Sequence, residues 1–208
     1  MSERAAVSLD DLRARIRAIE GSRVERRKQI SGVAALDQLI GGLPSPGIVE
    51  VQGAPGAGST RLAAAVVASF TRRSRPVAWV DIQRVLYPPA LVDLGVDPRW
   101  LLLVRPPGGH SGWTAEQLLR SGCFPVVCIS GVERLGRVGQ RWAHACEQGG
   151  SVALVLTERV ERSLPADVRL SVANGELTVM RQRGGGIGAR RALPNWSSRT
   201  APWQGRVS

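Results

Sequence analysis

The chain has 208 residues, 43% of them apolar, and a formal net charge of +11 that is concentrated towards its two ends. This length suits one ordinary domain with a substantial core. No apolar run is long enough to span a bilayer. The positive charge favours a polyanionic or acidic partner. The charged N-terminal segment lacks the apolar stretch of a signal peptide. The three cysteines have no metal-ligand spacing and fit a reducing compartment. We therefore expect a cytoplasmic protein, with nucleoid association as an alternative.

The first predicted element is an amphipathic helix over residues 8–20, which Ser8 is placed to cap. Its apolar side chains recur on one face, namely Leu9, Leu12, Ile16 and Ile19. Gly21 ends the helix, and the basic residues that follow are typical of a tether. We therefore assign residues 1–29 to a helix and linker. Docking of the helix on a partner and docking on the chain's own core are the two alternatives.

Residues 30–183 form the predicted core domain, in which apolar strands alternate with helices. The predicted strands are "IVEVQG", "PVAWVDI", "RWLLLVRP", "FPVVCIS" and "SVALVLTER". Continuous apolar strands separated by helices are typical of an α/β fold with a mainly parallel sheet covered on both faces. The segment "ADVRLSVANGELTVMRQR" follows as an antiparallel hairpin with Asn174 and Gly175 as its turn. Trp79, Trp100 and Trp142 lie among apolar residues and are expected in the core.

Residues 184–208 are rich in Gly, Pro, Ser and Arg and have no apolar period, so we predict a flexible basic tail. Arginines here and at the end of the core could bind phosphates or an acidic protein, and tryptophans could stack on bases or fill a partner's groove. The alternative is a solvated tail with incidental aromatic residues. The candidate residues for binding DNA or a partner are Arg181, Arg183, Arg190, Arg191, Trp196 and Trp203.

The stretch "EVQGAPGAGSTRL" is close to the phosphate-binding pattern G-x-x-x-x-G-K-[ST] between a strand and a helix. Gly53, Gly56 and Gly58 keep the backbone freedom that such a loop requires, and Thr60 keeps the hydroxyl that would ligate magnesium. Ser59 occupies the lysine position and supplies no positive charge. Arg61 follows in the helix and is expected to point elsewhere.

Three segments together resemble the core of RecA recombinases. "ISGVAALDQLIGGLPSPGIVEVQGAPGAGST" resembles the lead-in, strand and phosphate loop of that family, and "VAWVDIQRVLYPPALVDLGVD" resembles the stretch with its catalytic carboxylate. "LLRSGCFPVVCISGVERL" is similar to the strand that ends in the magnesium-associated aspartate. Among RecA-like proteins, the length, the basic tail with tryptophans and the altered motifs look closest to the ImuA family.

The resemblance implies that Gln83 stands where recombinases carry the glutamate that activates water, and that Ser130 stands where the metal-associated aspartate ends its strand. With Ser59, one cation and two carboxylates are absent together. We therefore expect no catalytic residues, no metal site, no required cofactor and no significant ATP hydrolysis. Weak binding of ATP by the loop backbone is left open, although a plain strand-to-helix connection is the favoured interpretation.

The ImuA resemblance implies a non-catalytic accessory protein of SOS-induced mutagenesis and translesion DNA synthesis. Its implied partners are RecA, whose filament it could restrain, and ImuB or another mutasome component, with DNA as a further partner of the basic tail and no membrane. The two loops that carry DNA in recombinases are short in this chain, which weighs against recombinase-style DNA binding. The alternatives are an ATP-dependent DNA-binding RecA paralogue and a cell-division inhibitor of the SulA type.

Overall fold

The computed structural model describes residues 27–132, 135–182 and 186–194. The predicted helix over residues 8–20 and the chain beyond Pro194 lie outside these ranges. Among the described residues, no helix is long and apolar enough to cross a membrane.

Ten strands and five α-helices alternate along the described chain, and a short 3-10 helix over Pro98–Trp100 precedes the fifth strand. The strands are β1 Arg27–Gln29, β2 Leu43–Ser45, β3 Gly47–Gln52, β4 Val77–Asp81, β5 Leu101–Val104, β6 Val126–Ser130, β7 Val152–Thr157, β8 Val168–Ala173, β9 Glu176–Gln182 and β10 Arg190–Ala192. The α-helices are α1 Ala34–Ile40, α2 Ser59–Thr71, α3 Pro88–Asp93, α4 Ser111–Arg120 and α5 Val138–Gly149.

Eight of the strands form one sheet in the order β10-β9-β8-β3-β7-β6-β4-β5. The six strands from β8 to β5 are parallel, whereas β8, β9 and β10 pair antiparallel. The carboxyl ends of parallel strands meet at one edge of a sheet, which is where open α/β sheets bind ligands. The loops after β3, β4, β6 and β7 therefore come together at that edge.

Helices cover both faces of the parallel part of the sheet. α1, α2 and α3 pack on one face, where Leu36, Leu62 and Leu91 join a core that contains Trp79. α4 and α5 pack on the other face, where Trp142 is fully buried. Because helices lie on both sides, every residue of β4 and β7 is buried, and the predicted α/β fold with a mainly parallel sheet is confirmed.

The predicted hairpin is also confirmed. β8 and β9 pair in antiparallel register from Ala173 opposite Glu176, and the two residues between them are Asn174 and Gly175. Both have positive φ angles, 50° and 74°, which is the backbone that a two-residue turn of this class requires.

Two predicted boundaries differ from the structure. The last three residues of the predicted linker form β1, which pairs with β2, and Lys28 donates from Nζ to the Ile40 carbonyl at 2.9 Å. In the predicted flexible tail, Arg190–Ala192 form β10 on the edge of the sheet, and Leu193 packs against the core. Backbone pairing stabilises both short strands, so neither needs the apolar period on which the sequence prediction relied.

The expectation that Trp100 is a core residue is wrong, because 36% of its surface is exposed. Trp100 ends the 3-10 helix immediately before β5, the strand at the open edge of the sheet. Fewer neighbours cover a side chain there than on β4, which is flanked by strands on both sides and where Trp79 is fully buried.

Candidate functional site

A cleft of about 1280 Å³ opens at the carboxyl ends of the parallel strands. It brings together the glycine-rich loop after β3, Gln83 after β4 and Ser130 at the end of β6. These positions come from three distant segments of the chain. Their convergence on one cleft is the arrangement that the predicted parallel sheet implies. The predicted loop residues that line the cleft are Gly53, Gly56, Gly58, Ser59 and Thr60.

The glycine-rich loop keeps the backbone shape of an anion cradle. Gly56 and Gly58 have φ angles of 82° and 109°, and Gly58 is the N-cap residue immediately before α2. A Cβ atom at Gly53 would lie 2.2 Å from the Ser59 Oγ and 3.2 Å from the Val172 carbonyl oxygen, so only glycine fits there. The loop therefore directs the unpaired N–H groups of the first turn of α2 towards the cleft.

Ser59, at the position where the motif has lysine, lines the cleft and is 9% exposed, and its buried hydroxyl has no hydrogen-bond partner among the described residues. Its short side chain carries no charge. Arg61, expected to point elsewhere, lines the cleft as well, because side chains in a first turn lean towards the N-terminus of their helix. Arg159 after β7 lines the same cleft. The positively charged side chains of this cleft are therefore Arg61 and Arg159, and neither stands at the lysine position of the phosphate-binding pattern.

Ser130 is held by a tryptophan from the neighbouring strand. The indole N–H of Trp79 donates to the Ser130 Oγ at 3.0 Å, and Trp79 itself is fully buried. The Ser130 carbonyl accepts from the Ile82 N–H at 3.1 Å, which ties the ends of β6 and β4 together. A neutral hydroxyl, already in a hydrogen bond, thus occupies the position at which the resemblance places a metal-associated carboxylate.

Gln83 lies directly beside the end of β6. Gly131 has a φ of 80°, and a Cβ atom there would come within 2.8 Å of the Gln83 Cγ and 3.0 Å of the Gln83 N. Gln83 and Ser130 are therefore close neighbours on the cleft wall.

Asp81 is 1% exposed and is committed to the loop that follows β4. Its carboxylate accepts from the N–H groups of Val85 and Leu86 at 3.2 and 3.1 Å, and from the Arg105 Nε at 3.1 Å. The Arg105 Nη2 also donates to the Leu86 carbonyl at 2.5 Å. This carboxylate fixes the wall of the cleft and does not line the cleft itself.

A second buried carboxylate, Glu50 on β3, fixes the opposite wall. Glu50 is 1% exposed and accepts from the Arg169 Nε at 2.6 Å, the Glu161 N–H at 2.7 Å and the Thr157 hydroxyl at 3.2 Å. Arg169 also donates to the carbonyls of Glu161 and Leu164 at 2.9 and 2.8 Å. The loop over residues 158–167 is therefore anchored to two strands from within the protein.

Glu161 adds a local contact inside this loop. It accepts from the N–H and the hydroxyl of Ser163, and these hydrogen bonds hold the pKa of the Glu161 carboxyl below its usual range. Glu161 is thus ionised at neutral pH, although its charge is directed into the loop.

In the part of the chain that the structure describes, no cluster of three His, Cys, Asp or Glu side chains is placed to hold a metal ion. Arg181, Arg190 and Arg191 are exposed on β9 and β10, at the edge of the sheet next to the hairpin. The remaining predicted binding residues lie outside the described ranges, namely Leu9, Leu12, Ile16, Ile19, Arg183, Trp196 and Trp203.

Leu193 and Pro194 are among the residues of the cleft that sequence reasoning missed. The Leu193 N–H donates to the Gly175 carbonyl at 2.7 Å, which brings the start of the tail beside the hairpin turn and the glycine-rich loop. An apolar pair within an otherwise polar tail was the one signal in the sequence that could have indicated this contact.

The family model of the RecA N-terminal domain matches residues 16–139, more than half of the chain and including each strand from β1 to β6. The chain belongs to the RecA N-terminal domain family. Over 108 residues it is 37% identical to the protein RecA of Bifidobacterium breve and 39% identical to that of Acidothermus cellulolyticus. These alignments cover 50% of this chain but only 28% and 31% of the two RecA proteins, so the chain spans less than a third of the relatives it matches.

The crystal structure of the RadB recombinase is similar in fold, with a TM-score of 0.64 and 18% identity, over 77% of this chain and 92% of RadB. This similarity covers more of the chain than the sequence alignments do. It shows that the mainly parallel sheet and its helices form a RecA-like fold.

The hydrogen bonds and ion pair of Glu50 predict a large loss of stability when Arg169, its cationic partner, is removed. We expect Arg169→Met to lower the free energy of unfolding by about 3–5 kcal/mol, because the buried Glu50 carboxylate then loses the cation that compensates it. The measurement is urea denaturation followed by circular dichroism.

Arg181 is the matched control, because it lies opposite Arg169 on β9 and is exposed. We expect Arg181→Met to change the free energy of unfolding by no more than about 0.5 kcal/mol. Equal effects of the two substitutions would contradict the assigned role of the buried ion pair.

Proposed function

We propose that this chain is a non-catalytic RecA-like accessory protein of DNA-damage-induced mutagenesis, related to ImuA, that acts through protein contacts. The observation that carries the proposal is the cleft, where Ser59, Gln83 and Ser130 converge. These are the positions at which the resemblance places a lysine, a water-activating glutamate and a metal-associated aspartate. The chain carries neutral groups at all three of these positions, and this supports a non-catalytic role.

The neutral groups do not fit magnesium ATP as a substrate. A lysine at position 59 would neutralise charge that develops on the β and γ phosphates, and a hydroxyl cannot. Charge-assisted hydrogen bonds contribute about 1.5–3 kcal/mol each, so the loss of this lysine weakens triphosphate binding substantially. Arg61 and Arg159 line the cleft, so they supply positive charge without the lysine's position in the loop.

The chemistry of hydrolysis is affected more than binding. Magnesium prefers oxygen ligands with negative charge, and the Ser130 hydroxyl is neutral and accepts a hydrogen bond from Trp79. The Gln83 amide cannot take a proton from water as a general base. Asp81, the carboxylate at the end of β4, is held by Arg105 and two backbone N–H groups. The donor set therefore supports a loss of ATP hydrolysis.

The wall over residues 158–167 supports protein contact over recombinase-style DNA binding. The resemblance places DNA-binding loops after β6 and β7. In this chain the loop after β7 is short and is anchored by Glu50 and Arg169, so its backbone is committed to the sheet. The two ends of the chain remain as the surfaces for partners. We assign the helix over residues 8–20 to RecA and the basic tail to ImuB, another mutasome component or DNA.

The first prediction concerns ATP hydrolysis by the full chain. With magnesium and ATP, we expect a rate equal to that of Thr60→Ala, because the groups that would bind metal and activate water are absent. A coupled phosphate-release assay measures both rates. A magnesium-dependent rate that Thr60→Ala abolishes would contradict the proposal and favour an ATP-dependent DNA-binding RecA paralogue.

The second prediction concerns the N-terminal helix. Replacing Leu12 and Ile16 together by Asp should reduce binding to RecA at least tenfold, since two apolar contacts worth about 1.5–3 kcal/mol each are lost. Biolayer interferometry against RecA, ImuB and FtsZ measures the affinities. Gln140→Asp is the matched control, because Gln140 is exposed on α5 and far from this segment in the sequence.

Each outcome of this experiment has a distinct meaning. Unchanged RecA binding by the Asp variant would exclude the helix as the RecA contact. Binding to FtsZ without binding to RecA or ImuB would favour the SulA-type alternative. Affinity for single-stranded DNA that falls steeply with salt would show phosphate contacts by the tail, whereas tryptophan-mediated protein binding depends less on salt.

A further inference from the structure

One wall of the cleft is apolar and partly uncovered. Leu86, Tyr87, Ala90, Leu91 and Leu94 line it, on α3 and the segments that flank it. Tyr87 is 69% exposed, and Val85 beside it is 76% exposed. Apolar side chains grouped at the mouth of a cleft are typical of a binding surface. The polar loop around Gly53 and Ser59 forms the facing wall.

The described chain ends at this same cleft. The Leu193 N–H is hydrogen-bonded to the Gly175 carbonyl, Leu193 packs against the core, and Pro194 lines the cleft. The described part of the chain thus ends at the rim of the site, next to an anchored residue. Trp196 follows Pro194 by two residues, so its Cα lies within about 7 Å of the Pro194 Cα.

We propose that the segment after Pro194 docks into the cleft of its own chain, with the Trp196 indole against the exposed apolar surface of Val85, Tyr87 and Ala90. A tryptophan buries about 150–250 Å² on docking, and the cleft of about 1280 Å³ has room for the indole and for neighbouring backbone. The segment is tethered at the cleft mouth, so its local concentration is in the millimolar range for a short linker. A separate peptide or a second copy lacks that advantage.

Electrostatic attraction does not explain why the segment after Pro194 would occupy the cleft. Arg61 and Arg159 in the cleft repel the basic tail, while Glu158 attracts it, so the electrostatic contributions oppose each other. Apolar burial carries the contact, and its dependence on salt is weak. Trp196 is preferred to Trp203 because it follows Pro194 by two residues and Trp203 by nine, and a tether longer than the span of the cleft lowers the local concentration.

The docked segment gives the cleft a function that needs no nucleotide. While Trp196 fills the cleft, it is unavailable as an anchor for another protein, so docking in cis and partner binding through Trp196 exclude each other. A partner that binds Trp196 would leave the apolar wall open. This inference holds whether or not the protein acts in mutagenesis.

Hydrogen–deuterium exchange of the full chain tests the docking. We expect amides in residues 83–94 to exchange severalfold faster in Trp196→Ala than in the unaltered protein, because the indole no longer covers that wall. Trp203→Ala is the matched control and should leave their exchange unchanged. Unchanged exchange in Trp196→Ala, or equal acceleration by both substitutions, would overturn the proposal.

Photocrosslinking identifies the occupant directly. With benzoylphenylalanine in place of Trp196, irradiation should give crosslinks within one chain to peptides from residues 83–94, and with benzoylphenylalanine in place of Trp203 the yield should fall severalfold. Crosslinks between chains would show that a second copy occupies the cleft, and crosslinks to other regions would show docking elsewhere. Either result would overturn docking in cis.

Discussion

The buried ion pair between Glu50 and Arg169 is the constraint on which the functional edge of the structure depends. Glu50 lies on β3, immediately upstream of the glycine-rich loop, and Arg169 lies on β8. Through Thr157 and the backbone of residues 158–167, the pair connects the end of β7 to both strands. A charged pair in this position is expensive to desolvate, so it stabilises the fold only while all of its hydrogen bonds are made.

The cleft shows that backbone geometry and side-chain chemistry can be separated. Gly53 and Gly58 are fixed by close approach and positive φ, which the strand-to-helix connection requires whatever the cleft binds. Ser59, Gln83 and Ser130 line the same cleft without positive φ angles, so the backbone conformation does not restrict their identity in the same way. A RecA-like fold can therefore keep the shape of the nucleotide site with a different set of side chains.

The central strands and the hairpin could be predicted from the sequence because burial on both faces leaves continuous apolar runs, and the turn needs Asn174 and Gly175. The roles of Gln83 and Ser130 came from the family resemblance, since neither residue carries a chemical signal of its own. The short strands β1 and β10 could not be predicted, because backbone pairing stabilises them. The contact of Glu50 with Arg169, which are 119 positions apart, has no local pattern at all.

The hydrogen bond between Trp79 and Ser130 also couples the rim of the cleft to the interior of the protein. The indole N–H of a fully buried tryptophan needs an acceptor, and Ser130 provides it. An aspartate at position 130 would place a carboxylate beside this donor, so part of its hydrogen-bonding capacity would be directed at β4. The residue at the end of β6 is therefore tied to the side chain that is buried on β4.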